Sequence, residues 1–586
     1  MAYNVKYRFR FDSVHGVVYE VRLLENGYSG SVIDRPLGKA PMIRMQESDP
    51  FRPTSCDLVL ECQTEGEYVD LYTTDPLQYR VEVYHKTGTS SFTLIWQGYV
   101  AVELYSEPDI APPYDVRITA TDGLGILKEH TFEAAGQLSV REHLVYLLRK
   151  TGDAHPYIYT ASRLREYGET TYDFMDKVKI SFDYMAGQSC YEVLGELLKS
   201  MRCIITYRGG YWLIVRQVDV QISSAGVLTV MRSDDDWSES SVADTLSIGK
   251  AVGKMGASGT DMWPNGYLTR RVAPAKKSVR VKADWNLISG APDLTSSLWN
   301  SGGEASSSGK PRYLGTIGGT GTIYTQMAMG NFTMDLKVTV KCWADWTSSG
   351  LYGAPWIKVR AAYGSQGSGW KYYHPDTGWT TDSPATGEEH RVDRSNFYGD
   401  PSQAQEITVD IPGPRDSYGG GLIIYVDGHE AVVYEVKVEL VTMQGYQDNI
   451  LIDNGARGSA PDLSITGGRE IDSFLINSWF ADGIWTRGND ILTAFSDDSW
   501  INRDWMSLAA LAYAKEHAAP RIEITGKLDN PAVTPMSLPP MFIKSHGVWA
   551  LLSTYDWDLG LEDIDFKAIT LPTASLTVAS EEITSY

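Results

Sequence analysis

The chain has 586 residues, more than one hydrophobic core usually supports, so its length predicts about three to five domains. Hydrophobic residues make up 43% and charged residues 22%, which is the balance of a soluble globular protein. The formal net charge of −22 argues against a nucleic-acid-binding protein, which would present a basic face. Two explanations of the negative charge stay open: it keeps the protein soluble, or it prevents the protein from retaining a polyanion that passes close by.

The cysteines and the N-terminus predict synthesis in a reducing compartment. The five cysteines form no C-x-x-C pair and are too few for a disulfide framework, and Cys56 and Cys62 are expected to be packed thiols. Residues 1–11 are charged and alternating rather than apolar. No stretch approaches the roughly 18 apolar residues of a membrane span. We therefore expect a protein that is made in the cytoplasm and does not insert stably into a membrane.

The first third of the chain predicts antiparallel strands. Alternation places strands at Tyr3–Phe11, Val17–Leu24 and Ser55–Cys62. From residue 79 a hairpin follows, with a Gly/Thr/Ser-rich turn at 86–91 and a returning strand at 92–96. Gly98 marks a bulge or a close backbone approach, and further strands are predicted at 100–104 and 114–120. Asp122 is predicted to cap a helical turn through Leu127.

Two short helices and a hairpin follow. The S-x-x-E capping boxes Ser139/Glu142 and Ser189/Glu192 each precede an apolar stripe and so predict helix starts. A hairpin is predicted at 203–216 around the turn Arg208-Gly209-Gly210. The polar, Gly-rich residues 234–266 predict an irregular connection, and a solvated loop is a simpler interpretation of its acidic run than a cation site. A strand resumes at 278–282.

The middle of the chain predicts a β-sandwich of jelly-roll type. The Gly/Ser-rich residues around 296–322 are typical of linkers or loops. Alternating strands separated by Gly, Ser, Asp and Pro are then predicted. They lie at Phe332–Trp343, Trp356–Tyr363, Gln405–Ile411, Leu422–Val426 and Ala431–Val441. The architecture is similar to that of carbohydrate-binding modules.

The last part predicts a helix near 504–517, which Pro520 ends, and then a final sheet. Its predicted strands are Arg521–Leu528, Met541–Lys544, Trp549–Tyr555 and Phe566–Leu571.

Several segments resemble, in the same order, the tail-hub proteins of tailed phages and prophages. They are LIWQGYV, ELYSEP and APPYDVRITATDGLGIL, then a capped helix before a hairpin ending YWLIV, then a helix before PRIEITGKL. The resemblance covers roughly residues 3–282 and 448–571. It implies a baseplate-hub-like structural protein at the distal end of the tail tube, assembled as a homotrimeric ring through whose lumen DNA passes without specific binding. Its implied neighbours are the tail tube or distal tail protein and other tail-tip or receptor-binding proteins, and its implied location is the virion tail.

Together these observations predict a fold that is mainly β with small α+β elements. Four domains are expected: an N-terminal β hub domain at 1–130, an α+β hub domain at 131–284, an inserted sandwich at 285–441 and a C-terminal hub domain at 442–586. The insertion would serve contact with the host surface or with a neighbouring tail protein.

No enzyme motif accompanies this pattern. The sequence has no H-E-x-x-H, G-x-S-x-G or P-loop, so no catalytic, cofactor-binding or metal-binding residue is predicted. Candidate ligand-stacking residues are Trp370, Trp379, Tyr372 and Tyr373, whose rings would stack on sugars of a host glycan or pack under their own loops. Two alternatives to a tail hub stay open: a carbohydrate-binding adhesin and a glycoside hydrolase, which would need convergent carboxylates in an aromatic cleft.

Overall fold

The computed structural model describes the chain in segments. They are residues 2–86, 91–133, 137–152, 157–171, 174–181, 185, 187–235, 237–276, 278–285, 299–303, 312–314, 320–329, 336–344, 356–365, 369–374, 378–380, 390–392, 405–411, 420–429, 431–440, 446–453, 463–467, 485–487, 490–491, 495–496, 505–517, 519–529, 541–572 and 580–585.

Strands dominate these segments, as the sequence predicts. The first group is β1 (Tyr3–Asp12), β2 (Val18–Asn26), β3 (Ile33–Asp34), β4 (Leu37–Met45), β5 (Phe51–Arg52), β6 (Thr54–Cys62), β7 (Tyr79–Lys86), β8 (Thr93–Val100) and β9 (Tyr114–Thr121). The second is β10 (Gln137–Ser139), β11 (Tyr157–Ala161), β12 (Arg165–Glu166), β13 (Lys179–Ser181), β14 (Cys203–Arg208), β15 (Tyr211–Arg216), β16 (Val227–Ser233), β17 (Ser241–Ser247), β18 (Gly249–Ala251), β19 (Trp263–Pro264), β20 (Thr269–Ala273) and β21 (Ser278–Trp285).

The remaining strands follow residue 298. They are β22 (Trp299–Gly303), β23 (Arg312–Leu314), β24 (Thr320–Met329), β25 (Leu336–Ala344), β26 (Trp356–Ser365), β27 (Gly369–His374), β28 (Gly378–Thr380), β29 (His390–Val392), β30 (Gln405–Ile411), β31 (Gly420–His429), β32 (Ala431–Leu440), β33 (Tyr446–Asp453), β34 (Leu463–Gly467), β35 (Trp485–Arg487), β36 (Asp490–Ile491), β37 (Phe495–Ser496), β38 (Arg521–Asp529), β39 (Phe542–Ser545), β40 (Val548–Asp558), β41 (Asp563–Thr570) and β42 (Ser580–Ser585).

The helices predicted to begin near residues 139, 189 and 504 are present, whereas a fourth, short helix was not predicted. They are α1 (Val140–Leu148), α2 (Phe174–Lys177), α3 (Cys190–Met201) and α4 (Trp505–His517), with 3₁₀ turns at Val69–Leu71, Leu124–Lys128, Arg149–Thr151 and Gln217–Asp219. Both capping boxes are confirmed: the Ser139 hydroxyl accepts the Glu142 N–H at 3.1 Å, and Ser189 accepts that of Glu192 at 3.2 Å. Helix α4 is buried along most of its length, including the predicted apolar face.

The two ends of the chain build one sheet, called here the composite sheet. Its order is β19-β38-β41-β40-β4-β6-β9-β8-β7-β2-β1-β3, and β18, β20 and β39 join it at one end. The central step is antiparallel pairing of β4 with β40, in which Met42 lies opposite Asp558 and Met45 opposite Tyr555. The strands predicted as a separate final sheet therefore extend the N-terminal one.

The core of the composite sheet follows the predicted alternation. Tyr7 and Phe9 on β1 and Leu58 and Leu60 on β6 are buried, and Trp557 on β40 joins the same hydrophobic cluster. All five cysteines are buried free thiols, as expected of packed residues. Because the buried face includes residues from both ends of the chain, neither end has a complete core alone.

A smaller sheet connects the composite sheet to the helices. Its order is β17-β16-β11-β15-β14-β5, and the predicted hairpin is β14–β15 in antiparallel register from Cys203 opposite Arg216 to Arg208 opposite Tyr211. Strand β5 runs parallel to β14, so residues directly after β4 belong to this second sheet. The hairpin and helices α1 and α3 share one buried cluster.

The middle strands pair among themselves. Within the described residues, β22 to β32 form a seven-stranded and a four-stranded sheet and have no partner outside that range. Their neighbours β21 and β33 pair with each other in a different sheet, with Trp285 opposite Tyr446. The mainly β fold class with sandwich architecture is thus confirmed, whereas the four domain boundaries stay predictions.

Three local expectations were wrong. Strand β8 ends at Val100 and is followed by a turn with Glu103 at φ 58°, where a third strand was predicted. The connection at 234–266 contains β17, β18 and β19, and the Gly/Ser-rich residues around 296–322 contribute to β22, β23 and β24. These strands are polar or glycine-rich, so hydrophobic alternation does not mark them, and pairing with a neighbouring strand defines them instead.

Two other local expectations are confirmed. A Cβ added to Gly98 would lie 2.2 Å from the Thr121 carbonyl oxygen, so the glycine permits a close backbone approach to β9. Asp122 accepts the Leu124 N–H at 3.1 Å at the start of the 3₁₀ turn and also the Thr54 N–H at 2.6 Å. The carboxylate therefore ties the turn to β6.

The contact between the chain ends includes a buried carboxyl, and this generates a pH prediction. The Tyr19 hydroxyl donates to Glu562 Oε1 at 2.6 Å, and burial raises the pKa of Glu562 from 4.5 to about 7. The folded state keeps this proton where the unfolded chain loses it, so stability should fall as pH rises from 4.5 to 7. We expect Glu562→Gln, which keeps the acceptor oxygen, to remove this slope and to stabilise the protein at pH 8 by up to about 3 kcal/mol.

Urea unfolding at pH 5 and pH 8 tests this expectation. Asp565→Asn is the matched control because Asp565 is exposed on the neighbouring strand β41. Equal pH slopes in the wild type and in Glu562→Gln would contradict the assignment.

Candidate functional site

The predicted sugar-stacking residues lie on two short paired strands. Trp370, Tyr372 and Tyr373 are on β27 and Trp379 is on β28, so the backbone places both tryptophans on strands rather than on loops. In the observed register Tyr373 lies opposite Trp379, and Tyr372 opposite Thr380. Tyr372 is half-buried and Tyr373 is buried, with 9% of its surface exposed. Stacking on a glycan stays a prediction.

A different set of side chains converges where the chain ends meet, and we call it the seam cluster. It comprises Glu47, Asp49, Arg52, Lys199, Arg202, Tyr513, Glu516, His517 and Arg521, which line a cavity of about 400 Å³ together with apolar residues of β40 and β41. They come from the turn between β4 and β5, from β5 itself, from the C-terminal ends of α3 and α4, and from the first residue of β38. Sequence analysis did not find this cluster, because partners such as Arg202 and Glu516 are 314 residues apart.

Arg202 is the centre of the seam cluster. It follows the last residue of α3 in the left-handed conformation, with φ 57°, and its N–H bonds to the end of the helix. Its guanidinium donates from Nε and Nη2 to Glu516 Oε2 at 2.9 and 2.6 Å, and from Nη1 to Asp49 at 2.8 Å. The Tyr513 ring lies 4.2 Å from the guanidinium carbon. Burial opposes the charge, yet Glu516 and Asp49 outweigh it and raise the pKa of Arg202.

The other cations of the seam cluster are less well compensated. Arg52 is 4% exposed, and its closest carboxylate oxygen, on Glu47, lies at 3.4 Å. Burial lowers the pKa of both Arg52 and Arg521. Burial and the charges of Arg521 and Arg202 lower the pKa of His517 to about 3, so this imidazole is neutral at pH 7. The cavity lining thus contains three arginines, Arg52, Arg202 and Arg521, and three carboxylates, Glu47, Asp49 and Glu516, while Lys199 pairs with Glu196.

One edge of the composite sheet is open. Among the described strands β20 pairs with β38 alone, and Thr269 to Val272 are exposed. Val272 is 65% exposed, and nearby Tyr267 is 98% exposed. A free strand edge with exposed apolar side chains is a site for strand pairing with another chain.

The described residues contain no group of His, Cys, Asp and Glu arranged to hold a metal ion. Of the helices in that part of the chain, none is long and apolar enough to cross a membrane.

No family model matches the sequence, and no curated protein does. Solved structures do match. One is the 43 kDa tail protein of prophage MuSo2 from Shewanella oneidensis, at 10% identity over 94% of this chain and 98% of that one, with a TM-score of 0.33. Another is the tail protein from Neisseria meningitidis, at 8% identity over 94% and 96% of the two chains, with a TM-score of 0.34. Both matched structures are tail proteins.

Partial matches also occur. The enzymatically active domain of tailspike protein 4 from bacteriophage CBA120 matches 27% of this chain at 9% identity and a TM-score of 0.18, and the match spans 21% of that protein's length. A xylan-binding module matches over 28% of this chain with a TM-score of 0.16. TM-scores this low do not establish a shared fold, so the function proposed below depends on the chain's own residues.

The seam cluster should stabilise the contact between the chain ends. Glu516→Ala leaves the Arg202 charge buried and poorly paired, and we expect a loss of about 3–5 kcal/mol in urea unfolding. The double variant Arg202→Met with Glu516→Leu removes both charges and should lose much less. Asp34→Ala is the control: its partner Arg8 is 31% and Asp34 66% exposed, so the loss should be much smaller than that of Glu516→Ala. A double variant as unstable as Glu516→Ala would contradict this account.

Proposed function

We propose that this chain is a non-enzymatic structural protein of a phage tail tip, a hub at the distal end of the tail tube. The ordered sequence segments that resemble tail hubs support the proposal. Their structural counterpart carries it: the segments before residue 285 and after residue 445 contribute to one composite sheet, and the sandwich strands between them pair separately. This is the arrangement expected of a hub whose body is interrupted by an accessory domain.

The tail role accounts better than the alternatives for what the described residues contain. A glycoside hydrolase needs two facing carboxyls at a set separation in a cleft. The carboxylates of the described cavity, those of Glu47, Asp49 and Glu516, are engaged with arginines instead. An adhesin would need only the sandwich, and the composite sheet, which contains both ends of the chain, would have no role in it.

We further propose that the protein assembles as a homotrimeric ring that contacts the tail tube or distal tail protein and the receptor-binding proteins. Closed symmetry satisfies identical interfaces in every copy. The open edge at β20, with Tyr267 and Val272 exposed, offers a surface for such a contact. DNA would pass through the lumen without binding, as a net charge of −22 favours.

Light scattering on the purified protein tests the ring, with about three times the 65.0 kDa chain mass expected. The double variant Tyr267→Asp with Val272→Asp should weaken assembly at least about tenfold, because two buried apolar contacts would become charged. Leu104→Asp is the control, since Leu104 is also exposed, at 62%, but lies away from β20. A monomer at high concentration, with no threefold ring in electron micrographs, would count against the proposal, as would tight duplex-DNA binding at physiological salt.

The sandwich should be removable. Because Trp285 and Tyr446 are directly paired, replacing residues 286–445 with a two-residue Asn-Gly turn should close a β21–β33 hairpin. We expect this deletion to leave the protein folded and ring-competent, as shown by circular dichroism and light scattering. An insoluble deletion product would show that the sandwich is part of the body.

The full-length protein and the deletion also address host contact. If the sandwich binds a host glycan, the full-length protein should bind in a glycan array and the deletion should not, and Trp370→Ala or Trp379→Ala should weaken binding. Absence of binding by the full-length protein would leave contact with a neighbouring tail protein as the role of the sandwich.

A further inference from the structure

Strand β20 is an open edge with positive charge. Among the described strands it pairs with β38 alone. Arg270 and Arg271 lie on it, are exposed, and form no ion pair with the described residues. They belong to residues 262–282, a segment with no Asp or Glu and six basic residues: Arg270, Arg271, Lys276, Lys277, Arg280 and Lys282. In a chain with a net charge of −22, this segment is a local exception.

Strand β17 is an open edge with negative charge. It pairs over its full length with β16 and with no other described strand. Residues 233–247 have no Lys, Arg or His and five carboxylates: Asp234, Asp235, Asp236, Glu239 and Asp244. Glu239 is exposed, and Asp244, which pairs with Arg232 of β16 at 2.9 Å, keeps 37% of its side-chain surface exposed. The free edge of β17 is therefore acidic.

Both edges leave backbone groups unpaired. In an antiparallel pair, half of the N–H and C=O groups of an edge strand point away from its one partner. Strands β17 and β20 are each antiparallel to their partner. Exposed apolar side chains accompany both, Val242 on β17 at 37% and Val272 on β20 at 65%. Each edge can therefore accept one further strand.

The two edges lie far apart on one chain. Strand β17 belongs to the smaller sheet, and β18 begins two residues after it ends. In the composite sheet β18 and β20 are separated by β39, β40, β41 and β38. Five strand spacings of about 4.8 Å place β18 and β20 about 24 Å apart along the sheet. A contact between the two edges therefore requires two copies of the chain.

Charge selects which edges of two copies meet. Pairing β20 with a second β20 would bring Arg270 and Arg271 of both copies together, and pairing β17 with a second β17 would do the same with carboxylates. Like charges on paired strands are destabilising, whereas opposite charges are stabilising. The favoured contact joins unlike edges, and such a head-to-tail contact forms a ring when the rotation between copies closes.

We propose that β20 of one copy pairs with β17 of the next copy around the ring. Backbone hydrogen bonds then join the two sheets across the subunit contact, and the opposite charges fix which edge is the partner. This inference rests on the proposed ring and names the two surfaces that form its contact.

Charge reversal in the full-length chain, followed by light scattering over a range of concentrations, tests the contact. Arg270→Glu with Arg271→Glu should weaken assembly at least about tenfold, because attraction to the carboxylates becomes repulsion. Glu239→Lys with Asp244→Lys should weaken it similarly. The variant with all four substitutions should recover most of the assembly, since opposite charges face each other again.

Two double variants are the matched controls. Lys39→Glu with Arg117→Glu reverses exposed cations on β4 and β9, strands whose edges are both paired. Glu581→Lys with Glu582→Lys reverses carboxylates on β42, another strand at the edge of a sheet. Both should leave assembly unchanged, and weakened assembly in the second control alone would assign the contact to β42 instead and overturn the proposal.

Cross-linking identifies the edges directly. Thr269 on β20 and Thr245 on β17 are exposed, and all five native thiols are buried, so a short bis-maleimide should react first with a cysteine introduced at either position. A mixture of Thr269→Cys and Thr245→Cys chains should give a cross-linked pair, and neither variant alone should.

The outcomes separate this contact from the ring itself. A wild-type chain that stays monomeric at high concentration contradicts the ring and the contact together. A wild-type ring that still assembles with Arg270→Glu and Arg271→Glu, or a four-substitution variant no better than either double variant, overturns the contact and leaves the ring standing. Cross-linking of Thr269→Cys chains alone also overturns it, because two β20 edges would then meet.

Discussion

The pairing of β4 with β40 is the constraint on which the rest of the structure depends. Without this pairing the composite sheet would divide into two sheets. Strands β4 and β40 would each then have an unpaired edge, next to buried residues such as Ile43 and Trp557. Unpaired hydrophobic edges are sites of aggregation. Strands from both chain ends are therefore needed to complete this sheet.

The seam cluster is a consequence of that closure. Closing the sheet brings the ends of α3 and α4 close to the turn after β4, and there Arg202 and Glu516 are buried together. Arg202 tolerates this because it has two carboxylate partners and an aromatic ring beneath it. Arg521 forms no ion pair with the described residues and keeps part of its surface exposed instead.

Whether a feature could be predicted from the sequence depended on how far apart its interacting residues lie along the chain. The helix starts at Ser139 and Ser189 were predictable because a capping box is complete within four residues. Strands such as β17 were not, because their side chains face solvent and only pairing with β16 defines them. The contact of β4 with β40 and the seam cluster leave no local signal at all, since their partners are hundreds of residues apart.

The same reasoning shows how the proposed hub body would accommodate the sandwich as an insertion. The cost of closing a loop grows only with the logarithm of its length, so a long insertion adds little once its ends are held together. Antiparallel pairing holds Trp285 and Tyr446 as direct neighbours, and it does so within a sheet that the sandwich strands do not enter. The sandwich can thus differ in sequence and size while the register of β21 and β33 stays the same. In the proposed hub, variation in the sandwich would in this way be separated from the pairing of the chain ends.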